Sequence, residues 1–283
     1  MSNGHAGGVS GIWSGAKGVF TRDDAPPGSW IQNAGGSAAL GLKTFAQLIT
    51  PGLSWRQEFI RQYVFAFQTT LLPATIVAFV VGFSTIGIQG GSIAASFGAI
   101  DRISSAAPVA FLRELGPLLT AAIVAGTLGA TITAEIGARK IREELLALEI
   151  LGINPVRNLI LPRIVGLSLW MPVLALLTFW AGIAGTFTAA VFLYGSTIQA
   201  FLSQLLTLTN VVDLYGSVVK LTLFGAMIGI IAAYKGTQVG GGAEGVGKAV
   251  NESVVSALVA IGIVTVVYTQ LFQAFFPEVN FGG

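Results

Sequence analysis

Charge interrupts this chain so rarely that the gaps between charges define it. Five stretches carry no Lys, Arg, Asp or Glu: residues 62–100, 115–134, 164–212, 221–234 and 253–277. A helix needs about 20 apolar residues to cross about 30 Å of hydrocarbon. The apolar part of the first stretch, 64–86, ends before Gln89-Gly90-Gly91-Ser92. The second predicts a span near 112–136. The third is long enough for two spans, but its apolar part runs 164–193 and stops at Tyr194-Gly195-Ser196-Thr197. The remainder, 200–212, holds Ser203, Gln204, Thr207, Thr209 and Asn210, and predicts a short external helix at the membrane surface. The fourth stretch extends back over Lys220 to 214–234, and the last gives 253–275. The expected fold class is all-α integral membrane, with five transmembrane helices.

Positive charge orients these spans. With the N-terminus inside, every Lys and Arg except Arg102, Arg113 and Lys220 falls on the cytoplasmic side. Positive charge collects in cytoplasmic loops, so the expected topology is N-in/C-out. A sixth span within 164–212 would put Lys235 and Lys248 outside. Residues 30–63 are too polar to cross. Phe45, Leu48 and Ile49, then Trp55, Phe59 and Tyr63, nevertheless recur at helical spacing, with Lys43, Arg56 and Arg61 among them. They read as an amphipathic interfacial hairpin broken at Pro51-Gly52, the alternative being a soluble cap over the spans. Residues 1–29 read as a flexible tail without the apolar stretch of a signal peptide. Residues 64–277 form the expected membrane domain, and 278–283 an external tail.

Composition agrees. The chain is 53% hydrophobic and 10% charged, with a net charge of +2 and a mean hydropathy of +0.78. A soluble enzyme, a disordered chain and a nucleic-acid-binding module are all excluded. There is no cysteine, and the one histidine, His5, lies in the Gly/Ser-rich N-terminus. Metal, thiolate and imidazole chemistry therefore have no obvious residues, and no cofactor is expected in this chain.

Charge concentrates in one place, residues 138–149: Arg139, Lys140, Arg142, Glu143, Glu144 and Glu149. The run lacks Gly and Pro and is rich in helix formers. It ends at Leu151-Gly152-Ile153-Asn154-Pro155, with glycine at a C′-like position and proline soon after. A charged cytoplasmic helix of this kind either docks a soluble partner or is a solvated loop. Glu135 and Glu252 sit near the cytoplasmic ends of the second and fifth spans, where i,i+4 pairing with Arg139 and Lys248 is expected. Gly126, Gly129, Ala130 and Ala134, Gly182 and Gly185, and Gly225 and Gly229 give three spans small-residue stripes that permit close helix packing or a dimer seam. Gly240-x-Gly242-x-x-Gly245 matches a dinucleotide-binding pattern in the wrong context, after a span rather than a strand. Few polar groups line the spans, which suits an apolar cavity; Phe79, Phe83, Tyr268, Leu271 and Phe275 are its candidate lining.

The ordered series Arg113-Glu114-Leu115-Gly116-Pro117, Ala134-Glu135-Ile136-Gly137, Glu143-Glu144, Ala147-Leu148-Glu149, Leu151-Gly152-Ile153-Asn154-Pro155 and Pro162-Arg163 resembles the MlaE/YrbE permease family. So do Lys235-Gly236, Gly240-Gly241-Gly242, Gly245-Val246-Gly247 and Asn251-Glu252. The sequence Asn251-Glu252-Ser253-Val254-Val255 and the long N-terminal extension are nearer the A-type member of the Mce-associated YrbE branch. The resemblance implies a permease subunit of an ABC-type lipid transporter in the plasma (inner) membrane. It implies a second permease subunit, identical or paralogous, a cytoplasmic ATPase dimer holding the ATP and Mg, and MCE-domain proteins. It also implies that the helix at 138–151 is the coupling helix. The chain has no Gly-x-x-x-x-Gly-Lys-Ser/Thr phosphate loop and is not expected to be an enzyme. An ion-coupled secondary transporter and a membrane scaffold without a transport path remain as alternatives.

Overall fold

The computed structural model describes residues 30–48, 56–205 and 207–276, with side chains except at 30–33, 45–48 and 101. The tails at 1–29 and 278–283 and the break expected at Pro51-Gly52 lie outside the described residues, as do Ile49 and Trp55. Every element is helical: α1 (Trp30–Leu48), α2 (Arg56–Ser96), α3 (Ile103–Ile141), α4 (Glu144–Ile150), α5 (Val156–Tyr194), α6 (Ile198–Gln204), α7 (Val211–Thr237) and α8 (Gly242–Phe275). Five of them, α2, α3, α5, α7 and α8, are long and apolar enough to cross a membrane. The expected count of five holds, and each helix is longer than the span expected for it.

The reason is that charged residues at the helix ends are paired rather than excluded. Residues 56–63 illustrate it. They were expected to form the second limb of a separate hairpin, but they are the first turns of α2. No Gly or Pro breaks the run before Pro73, and Tyr63 packs edge-on against Trp170 at 5.4 Å, which anchors these turns to α5. The first limb is a helix, α1. It rests on the end of α7, where Gly36 faces the Tyr234 ring and Gly41 meets Ile230, with Leu40 and Thr44 buried beneath it.

The central helix is α5, which packs against α2, α3 and α7. Glycines set the spacing. Gly182 and Gly185 bring α5 against Phe111 and the α2 backbone at Phe79, and a Cβ at Gly225 would come within 2.7 Å of the Leu167 carbonyl. The stripes at 182/185 and 225/229 are thus used inside the subunit. Gly126 has nothing within 4 Å. Gly225→Leu is therefore expected to destabilise by about 1–3 kcal/mol through overpacking. Gly126→Ala is expected to gain up to about 1 kcal/mol from helix propensity. Thermal unfolding of the two variants in one detergent checks the contrast.

Two corrections concern the charged residues at the α3/α4 end. The charged run is not one helix. α3 continues to Ile141 and stops at Arg142; Glu143 then takes a left-handed conformation (φ 59°) before α4 begins. Propensity does not predict this break. Burial of Leu145 in the main core turns the chain, at the cost of a backbone conformation that non-glycine residues rarely adopt. α4 then ends as its sequence suggested. Gly152 is left-handed (φ 75°), its N–H bonds to Glu149 O at 2.9 Å, and Ile153 N–H bonds to Leu148 O at 2.9 Å, a Schellman closure. The same segment starts α5: Asn154 Oδ1 accepts from Val156 N at 3.0 Å, and Pro155 takes the first turn, where a missing N–H costs nothing.

The i,i+4 pairs are the other correction. Glu135 bonds to Arg163 on α5 at 2.7 Å, and Glu252 bonds to Lys235 on α7 at 2.8 Å. Partners on neighbouring helices replace those expected at Arg139 and Lys248, because both carboxylates face the bundle.

Candidate functional site: an ion-paired groove and the α4 segment

The groove lies between α3, α7 and α8, at the end of the bundle away from α4. Its floor is built by the helix irregularity at Phe111–Leu115, where the chain widens into a π turn. Such turns re-aim side chains and occur often at functional sites. Gly116 allows it, since a Cβ there would strike the Phe111 carbonyl. Pro117 follows and has no N–H for the Arg113 carbonyl four residues earlier. That carbonyl accepts instead from Lys220 Nζ at 2.9 Å. The Gly-Pro pair thereby opens a backbone acceptor that a buried ammonium fills.

Lys220 is 2% exposed. Its ammonium also donates to Glu114 Oε2 at 3.1 Å and Thr269 Oγ1 at 3.3 Å, and stands 5.8 Å from the Tyr268 ring centre. Thr269 donates to Glu114 Oε1 at 2.6 Å. Beside this cluster Arg113 bonds to Asp213 at 2.8 and 3.4 Å, while Asp213 and Asn210 form the capping box of α7. One wall is aromatic: Tyr268 and Phe272 on α8, and Phe276 just past its end, follow each other at four-residue spacing. The groove is open to the side, so fixed charges and an apolar wall meet in one place.

At the other end, Glu144 gathers Arg142 (2.7 Å) and Arg139 (3.7 Å). The Arg142 hydrogen bond holds its carboxyl below the usual carboxylate range, whereas partial burial pushes Glu149 up. Large apolar side chains of this segment are exposed as well as charged ones. Ile150 is 79% exposed, Leu151 73% and Leu146 53%.

A helical membrane bundle with this motif series is matched by one family model, Permease MlaE, over residues 59–271. The chain belongs to the MlaE permease family. Among curated relatives, a probable ABC transporter permease protein of Rickettsia typhi is 30% identical over 242 residues, covering 86% of this chain and 93% of the relative. One of Synechocystis is 35% identical over 167 residues, 59% of this chain and 64% of that one. The protein trigalactosyldiacylglycerol 1, chloroplastic, of Arabidopsis thaliana is 34% identical over 164 residues, 58% of this chain and 47% of its own.

In this MlaE permease the sequence-predicted residues fall into separate groups. Glu114, Gly116 and Pro117 build the groove floor, and Tyr268 its wall. Leu271 and Phe275 lie on the same helix but outside the groove lining, and both are exposed. Phe79 and Phe83 are on α2 at its crossing with α5. Arg139, Lys140, Arg142, Glu143, Glu144 and Glu149 cluster around α4, with Gly152 and Pro155 closing it. Gly137 packs on Val239, Gly245 on the Gly240 carbonyl, and Asn251 is exposed beside Glu252. Arg113, Asp213, Lys220 and Thr269 were missed as site residues. The signal for Lys220 was present: a lone lysine inside an apolar span is a functional candidate by default.

Proposed function

We propose that this chain is the membrane-spanning subunit of an ABC transporter that moves an amphipathic lipid. The observation that carries the reading is the groove. Its floor holds two ion pairs, Lys220–Glu114 and Arg113–Asp213, suited to a polar head. Its wall of Tyr268, Phe272 and Phe276 suits acyl chains. A small polar solute would call for an enclosed site with convergent donors instead. One relative bears the name of a galactolipid, which supports the same substrate class.

In this reading the α4 end is cytoplasmic, as the positive-inside pattern indicates, and α4 seats an ATPase subunit that supplies ATP and Mg. α6 lies on the external surface. A second permease subunit stands alongside, and MCE-domain proteins receive or deliver lipid at the groove end. The membrane is the plasma (inner) membrane.

The test is reconstitution of the chain with its permease and ATPase partners in vesicles carrying a headgroup-labelled phospholipid, scored by leaflet-specific quenching. ATP-dependent movement is expected. Movement driven by a proton gradient without the ATPase would instead make the chain a secondary transporter, and no movement under either drive would leave it a scaffold.

A further inference from the structure

Among the described residues, Arg163 is the one guanidinium side chain that is both 1% exposed and in contact with carboxylates of two other helices. Its Nη2 donates to Glu135 Oε2 on α3 at 2.7 Å and stands 3.8 Å from Glu58 Oε1 on α2. Its Nε and Nη1 have no hydrogen-bond partner among the described residues. Guanidinium is a planar fork, and arginine–carboxylate pairs frequently use two prongs. Here Nη2 alone holds Glu135, and the buried Nε and Nη1 on either side of it are idle. Buried N–H groups without partners are rare enough to call for a reason.

The surroundings supply one. Glu135 lies near the end of α3, and Arg139, one turn on, reaches Glu144 of α4. Any shift of α4 therefore pulls on the last turns of α3 and on Glu135. Glu58 is held more loosely, by Gln62 at 3.1 Å and by the exposed Arg61 at 3.4 Å. Arg163 itself is on α5, which packs against α2, α3 and α7.

We propose that Arg163 is a positioning residue that exchanges carboxylates. When α4 moves and Glu135 withdraws, Arg163 Nη2, already 3.8 Å from Glu58, closes on that carboxylate with an idle neighbouring nitrogen completing the fork, and the first turn of α2 is drawn toward α5. Motion at α4 is thereby passed to α2. This rests on the reading of α4 as the docking segment.

The chain has no cysteine, so Gln57→Cys with Leu169→Cys gives a clean spin-label pair reporting α2 against α5 in the assembled complex. ATP binding is expected to shorten that distance. Glu58→Gln is expected to abolish the change and to lower lipid moved per ATP about tenfold, the effect of one charge-assisted hydrogen bond. Arg163→Lys, which keeps the charge and loses the fork, is expected to do the same. A static tie would not respond at Glu58, whose contact is long. Retention of both the distance change and the transport ratio in Glu58→Gln would overturn the exchange. A wild-type complex that hydrolyses ATP without moving lipid would overturn the transport reading, and the distance measurement would still judge the exchange.

Discussion

Glu114→Gln is expected to destabilise the protein more than Lys220→Met, although Lys220 is the more buried partner. Lys220 is 2% exposed and Glu114 42%. Removing the glutamate charge leaves a buried ammonium with neutral acceptors alone, the Arg113 carbonyl, Thr269 and the introduced amide oxygen. Breaking a buried pair from one side costs about 3–5 kcal/mol, and the exposure of Glu114 places this case toward the low end. Lys220→Met removes the buried charge itself. What remains is the Arg113 carbonyl without its donor, a cost of about 1–3 kcal/mol, while the methionine fills the volume and Glu114 keeps Thr269 and the open side of the groove. The double variant should recover part of the Glu114→Gln loss. Thermal unfolding of the three variants in detergent orders them. A Lys220→Met protein less stable than Glu114→Gln would refute the assignment of Lys220 as a charge held mainly by Glu114. Lipid movement is expected to fall in all three, because each removes the polar floor.

The two sites were legible to different depths. Scarcity of charge located all five spans, since a free charge in hydrocarbon is expensive and long charge-free runs are rare elsewhere. The same rule misplaced the helix ends. Glu58, Arg113, Glu135, Arg163 and Lys235 all lie within helices that the charge-free stretches cut short. Each is tolerated because a residue distant in sequence neutralises or accepts it, as Asp213 does for Arg113 across one hundred residues. Those partnerships depend on which helix faces which, and a hydropathy pattern does not encode that. Gly116-Pro117 was visible as a motif, yet its purpose, exposing the Arg113 carbonyl to Lys220, required the helix from the other half of the chain. The break at Glu143 was hidden for a related reason. Local propensity favours an unbroken helix, and the burial of Leu145 overrides it.

That break changes what α4 offers to a partner, and the largest effect on docking is expected from its apolar residues. With the chain turned at Glu143, Glu144 is occupied by Arg139 and Arg142, while Leu146, Ile150 and Leu151 stand outward. Buried apolar anchors at an interface centre cost 2 kcal/mol or more each when lost, and surrounding exposed charges cost little. Ile150→Glu with Leu151→Glu is thus expected to weaken binding of the ATPase partner by about a hundredfold or more. Neither side chain contributes to the core, so the unfolding temperature should be unchanged. Reversing Arg142 and Glu143 together is expected to cost less than about tenfold, and that loss should shrink as salt rises. Titration of the solubilised permease with ATPase by interferometry, at low and high ionic strength, measures both. If the charge reversals weaken binding more than the apolar replacements do, α4 docks through its charges, and Ile150 and Leu151 face lipid.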